Sequence, residues 1–261
     1  MEIIILPTPA EVGHLAAAKI AGLVTRKPSA VLGLATGSSP LAIYAELAAR
    51  ARSGDVDFSR ARAFALDEYV GLPVEHPQSY ASVIRTEVTE LLGMDPALVR
   101  VPDGLAADLA AACDEYERAI ASAGGIDLQI LGVGANGHVG FNEPSSSFQS
   151  RTRIKTLAPQ TRADNARFFA SPDEVPTHCV TQGLGTILDA GELVMVAQGS
   201  NKADAVARIV EGPISSRYPG SILQWHRRAT VIVDEAAAAG LELAAYYRYT
   251  YENKPDWQRW I

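Results

Sequence analysis

Short, continuously apolar runs alternate along this chain with segments of helical periodicity, and few folds accommodate that pattern. Glu2–Leu6, Ala30–Leu34, Ala61–Leu66, Asp127–Leu131, Leu193–Val196 and Thr230–Val233 read as strands. Between them, Thr8-Pro9-Ala10-Glu11 is a capping box with proline at the first helical position. Its helix continues through Val12, Leu15, Ala16, Ile20 and Leu23. Ser39-Pro40 starts another helix, and Tyr80–Leu92, Ala106–Ala123, Lys202–Val210 and Glu235–Tyr247 read as further helices. Strands apolar on both faces belong in a mainly parallel sheet covered on both sides by helices. No repeat or Pro/Gly/Ser linker divides the chain, so residues 1–261 are expected to form a single α/β domain.

The 48% hydrophobic content supplies a large core, and the net charge of −7 argues against nucleic acid as a partner. No apolar run reaches the ~18 residues of a membrane span. The opening MEIIILPTP reads as a first strand rather than a targeting signal. Cys113 and Cys179 are far apart in sequence and read as free thiols of a cytoplasmic protein.

In an open parallel sheet, ligands bind beyond the carboxyl ends of the strands, and several strand ends here carry chemistry. Leu131–Pro144, LGVGANGHVGFNEP, sets one histidine and one glutamate in a glycine-rich turn. His138 and Glu143 form a candidate proton-transfer pair, with a structural turn histidine as the alternative. Gly132–Gly137 also fits G-x-G-x-x-G, but Gly140 and Pro144 interrupt any following helix and the downstream residues are basic, so dinucleotide binding is rejected. His14, His76, His178 and His226 are scattered, and no metal site is expected.

Thr36-Gly37-Ser38-Ser39 joins a strand to a helix, which suits a phosphate as well as an ordinary cap. At Phe64-Ala65-Leu66-Asp67-Glu68-Tyr69 a strand ends in two acids. Alternation lets one face the crevice as a general base while the other turns away, and solvated loop acids are the alternative. Pro144–Ala163 holds no acid, yet has Arg151, Arg153, Lys155 and Arg162. If Ser150–Leu157 is a strand, the first three share a face and favour a bound anion, against a merely solvated face. Arg167, and Lys202 at a further strand-to-helix junction, are phosphate candidates.

Six separated segments, LGLATGSSP, ALDEYVGL, GVGANGHVGFNEP, SRTRIKTL, TRADNARFF and GSNKADAV, resemble the glucosamine-6-phosphate deaminase (isomerising) family in order and spacing. The resemblance implies conversion of glucosamine 6-phosphate and water to fructose 6-phosphate and ammonia, without cofactor or metal. It also implies a Rossmann-like fold with a mobile lid, here about residues 157–180. It assigns Asp67 as the base acting through an enolamine, His138 as the ring-opening group and Glu143 as its support. Thr36, Gly37, Ser38, Ser39, Arg167 and Lys202 take the role of phosphate clamp. Asn136 stands where some members have aspartate; being neutral, it can orient the imidazole without holding its proton by charge.

Ser146, Arg153, Lys155 and Thr156 match a set that binds N-acetylglucosamine 6-phosphate between subunits of a hexamer in allosteric members, which implies a homo-oligomer and an effector. The aromatic tail (Tyr246, Tyr247, Tyr249, Tyr251, Trp257, Trp260) packs either at a subunit contact or on the core. A sugar-phosphate lactonase of the same superfamily has no use for ALDEY or for the Asn-Glu-Pro after the histidine. A non-catalytic sugar-phosphate sensor is disfavoured because Asp67, His138 and Glu143 are all present.

Overall fold

The computed structural model describes residues 1–259. Strand β1 (Glu2–Leu6) leads into α1 (Pro9–Arg26), whose first turn is capped by Thr8 accepting from the Glu11 amide. There follow β2 (Val31–Leu34), α2 (Leu41–Ser53), β3 (Arg62–Ala65), β4 (Asp67–Tyr69) and α3 (Tyr80–Ile84). A π-turn at Arg85–Thr89 joins α3 to α4 (Glu90–Leu92), so the helix expected over Tyr80–Leu92 is present but locally widened. Next come β5 (Val99–Arg100), α5 (Leu109–Ser122), β6 (Leu128–Leu131), β7 (Arg153–Thr156), α6 (Pro159–Asn165) and β8 (His178–Thr181). The chain continues through α7 (Leu184–Leu188), β9 (Glu192–Ala197), α8 (Ala203–Val210), β10 (Ala229–Asp234) and α9 (Ala244–Glu252).

A parallel sheet ordered β1-β10-β9-β6-β2-β3-β5 forms the centre, as its apolar strands require. Its middle strands β2 and β6 are buried along their whole length, and so is β10. A second sheet, β4-β8-β7, is antiparallel. Leu66 is the joint between the two. Its amide donates to Leu34 O of the large sheet, and its carbonyl accepts from the Gln182 amide at the end of β8. The chain thereby leaves one sheet and enters the other within one residue, immediately before Asp67.

Several expectations need correcting. Glu235–Tyr247 is not one helix. The Asp234 carboxylate accepts from the Ala237 amide and holds a turn, and helical structure resumes at α9, where the Glu211 carboxylate accepts from the Glu242 and Leu243 amides. Within the 157–180 segment expected as a lid, α6 and two short turns precede His178–Val180, which belongs to β8, paired on both sides, so the excursion between strands is 157–177. Only Arg153–Thr156 of Ser150–Leu157 is strand, and Arg151 lies outside it, paired with Glu117 and Asp189. In the aromatic tail, Tyr247 and Tyr251 pack on the core while Tyr246, Tyr249 and Trp257 face outward. Trp260 lies outside the described residues. No helix among the described residues is long and apolar enough to cross a membrane.

Candidate active site

One cavity lies at the carboxyl ends of β2, β3 and β6, and Thr36, Gly37, Ser38, Ser39, Asp67, His138, Arg167 and Lys202 all line it. The two acids of Asp67-Glu68 part company, as strand alternation dictates. Glu68 turns into the protein, where its carboxylate accepts from the amides of Tyr69, Tyr80 and Ala81 at 2.8–2.9 Å and so caps the start of α3. Asp67 faces the cavity but is only 4% exposed. Burial, reinforced by the charge of Glu68 and opposed by the Thr181 hydroxyl, pushes its pKa up to about 8.

The glycine-rich turn is built to present the histidine. The Gly134 amide donates to His138 O, closing the turn, and no helix follows. Gly134 lies flat beneath the imidazole, so that a Cβ there would come within 2.2 Å of His138 Cε1. His138 Nδ1 lies 3.5 Å from Glu143 Oε2, at the outer edge of hydrogen bonding. Burial would raise the Glu143 carboxyl, but His138, Thr161 and Asn136 together outweigh it and hold its pKa down at about 2. Asn136 does not orient the ring directly. Its amide nitrogen donates to Glu143 Oε2 at 2.7 Å, and its Oδ1 accepts from the His138 backbone at 3.2 Å.

Glu143 also reaches the 157–177 excursion, accepting from the Thr161 hydroxyl at 2.5 Å and the Ala158 amide at 3.2 Å. From the same excursion Asp164, Asn165, Arg167 and Phe168 line the cavity, and Asn165 donates to the Tyr69 hydroxyl at 3.0 Å. Burial lowers the Lys202 pKa; Asp164 opposes this and Arg167 adds to it. Two cations close enough to repel each other therefore share a cavity wall with the loop at the start of α2. Such an arrangement suits a doubly charged phosphate. The loop before Lys202 is held by Asp234, whose carboxylate accepts from the Gly199 amide at 3.0 and 3.1 Å.

The residues matched to the effector set lie away from the cavity. The Ser146 hydroxyl donates to Glu143 O, and Arg153 Nη1 donates to Asn142 Oδ1 at 2.9 Å. Lys155 shares Arg153's face of β7, and Thr156 is exposed. Sequence reasoning did not single out Tyr80, Thr161, Asn165 or Thr181 for the site. Tyr80 read as part of a helix, Thr161 and Asn165 lie in TRADNARFF, where only Arg167 takes a role, and Thr181 carries no motif; the backbone path brings them to the cavity or to Asp67. Among the described residues no group of His, Cys, Asp and Glu is arranged to hold a metal ion.

Residues 8–232 match the family described as glucosamine-6-phosphate isomerases/6-phosphogluconolactonase. The glucosamine-6-phosphate deaminase of Pseudarthrobacter chlorophenolicus is 61% identical over 99% of both chains, and that of Mycolicibacterium smegmatis is 58% identical over 99% of both. A solved structure of a monomeric glucosamine-6-phosphate deaminase superposes with a TM-score of 0.90 at 40% identity, covering 92% of this chain and all of that one. A 6-phosphogluconolactonase from Trypanosoma cruzi has a TM-score of 0.74 at 20% identity, covering 92% and 97%, and shares the fold alone. With Asp67 and the His138–Glu143 pair placed as above, and with relatives this similar over the full length, the chain belongs to the glucosamine-6-phosphate deaminase family.

Proposed function

We propose that the chain converts glucosamine 6-phosphate and water to fructose 6-phosphate and ammonia, and that the cavity residues divide the work as follows. The observation that carries the reading is that a buried carboxylate, a carboxylate-backed histidine and a pair of mutually repelling cations line one cavity. Arg167, Lys202 and the 36–39 loop hold the phosphate. Its binding energy orients the reacting carbons at the far end. His138 takes the proton of the anomeric hydroxyl and returns one to the ring oxygen, opening the pyranose. Glu143, ionised, stabilises the imidazolium formed on the way. Asp67 removes the proton from carbon-2 to give an enolamine and delivers it to carbon-1. The resulting ketimine is hydrolysed by water, which breaks the carbon–nitrogen bond and releases ammonia.

Ammonia and fructose 6-phosphate release by wild type and by Asp67→Asn tests this. Equimolar products from wild type, with turnover lost in the variant and sugar-phosphate binding kept, support it. Tight binding without turnover by wild type refutes it in favour of a sensor.

We also infer that Ser146, Arg153, Lys155 and Thr156 bind N-acetylglucosamine 6-phosphate as an effector of a homo-oligomer. Ser146 and Arg153 grip the Asn142-Glu143 segment, so an anion drawn to them would act on the carboxylate behind His138. Saturation kinetics unchanged by that ligand refute the effector, and sedimentation velocity reads the assembly separately. The buried free thiols Cys113 and Cys179 fit a cytoplasmic location.

A further inference from the structure

Thr181 is completely buried at the end of β8. In the antiparallel register it stands directly opposite Asp67 on one side and Arg153 on the other. Directly paired residues of an antiparallel ladder point to the same face, with Cβ atoms roughly 5 Å apart, so these three side chains form one row. The turn Gly140-Phe141-Asn142 lies across that row. A Cβ on Gly140, whose φ is +56°, would meet Thr181 Oγ1 at 3.0 Å and Asp67 Oδ2 at 3.4 Å, and Asn142 takes the bond from Arg153. The Phe141 amide donates to Thr181 Oγ1 at 3.1 Å. That bond uses a lone pair and leaves the hydroxyl proton free to point elsewhere. Its alternatives are the Gln182 carbonyl, at a long 3.3 Å, and the Asp67 carboxylate beside it.

We propose that Thr181 is a positioning residue for the base: held by the Phe141 amide, its hydroxyl donates to the Asp67 carboxylate and ties it to the turn that carries His138 and Glu143. The proposal rests on the reading of Asp67 as the base. A donor aimed at a carboxylate favours its charged form, and Thr181 is the side chain that acts on Asp67 in this sense, against burial and Glu68. The other ionisable groups coupled to Asp67 are Tyr69 on its own strand, Cys179 on β8, Tyr80 on α3 and Tyr116 on α5. His138, Asp164, Arg167 and Lys202 line the same cavity. None of these changes when the Thr181 hydroxyl is removed, which isolates its effect.

The test compares kcat and KM from pH 6 to 9.5 for wild type, Thr181→Val, Thr181→Ser and Asp67→Asn. Thr181→Val is expected to lose about tenfold in kcat at pH 7, with most of the loss recovered by pH 9 and KM within about twofold of wild type. Thr181→Ser should follow wild type throughout. If Thr181→Val does not fold, Thr181→Cys, a weaker donor of similar size, is read on the same profile with the same expectation. A loss equal at every pH, or a serine variant as impaired as valine, overturns the proposal while leaving Asp67 as the base. An active Asp67→Asn overturns the reading of Asp67 itself, and the proposal falls with it.

Discussion

The raised pKa of Asp67 makes the strongest demand on solution behaviour. With a value of about 8 in the free protein, about a tenth of the molecules carry an ionised base at pH 7 and about nine-tenths at pH 9. Because kcat/KM reports the free enzyme, it should climb about tenfold across that interval. The substrate amine titrates in the same range, so the profile needs an independent reading of the carboxyl. The infrared carboxyl band of free enzyme present in wild type and missing from Asp67→Asn supplies one, and it should convert to carboxylate near pH 8. The same shift has a stability consequence. A carboxyl raised on folding gives stability that is complete below its unfolded pKa near 4 and is lost as pH rises through 8. Asp67→Asn is therefore expected to be more stable than wild type at pH 9, by on the order of a few kcal/mol, and close to it at pH 4. A band titrating near pH 4, with matching melting curves at pH 9, would show that burial does not control this carboxyl.

Glu143 has the opposite sign. Held at about 2, it contributes on the order of 3 kcal/mol above its unfolded pKa, lost as pH falls from about 5 toward 2; melting temperatures of Glu143→Gln should show a shallower acid decline than wild type. Asn136→Asp sets a second carboxylate where an amide now donates at 2.7 Å, so the Glu143 pKa should rise and the acid decline in stability become shallower, as in Glu143→Gln. An acid limb coincident with wild type would mean the two groups do not meet. Gly134→Ala forces the His138 ring off its seat; kcat should drop ~10²-fold with circular dichroism unchanged, and normal turnover would show that the ring needs no such floor.

Much of this was legible in the residues, for a physical reason. The parallel sheet follows from strands such as Val231–Val233 and Val194–Val196, which are apolar on both faces because helices cover both. The small sheet was hidden. Asp67-Glu68-Tyr69 is polar at two of three positions, and Cys179-Val180-Thr181 has no alternation to mark it as strand. Both are strands because Leu66 hands the chain from one sheet to the other, a tertiary event with no local signature. The same holds for the site. Asp67, His138 and Lys202 sit at strand ends that point to a site, whereas Thr161 and Asn165, although within TRADNARFF, come to the cavity through the fold of the 157–177 excursion. The side-chain partner of Asn136 is not legible in the sequence, because its amide bonds the carboxylate seven residues on rather than the ring two residues on.

The joint at Leu66 also makes the molecule a calliper. One jaw, the 36–39 loop with Lys202, stands on the large sheet, and the other, Asp67, stands on the small one. On the proposed assignment of these groups, a sugar phosphate that spans them would be judged by its length, because the span between its phosphate and its second carbon must equal the gap the two sheets set. A chain one carbon shorter would reach the phosphate jaw or the carboxylate, but not both. Substrate size would thus be written into the placement of two sheets relative to each other, at a buried leucine that itself lines the cavity.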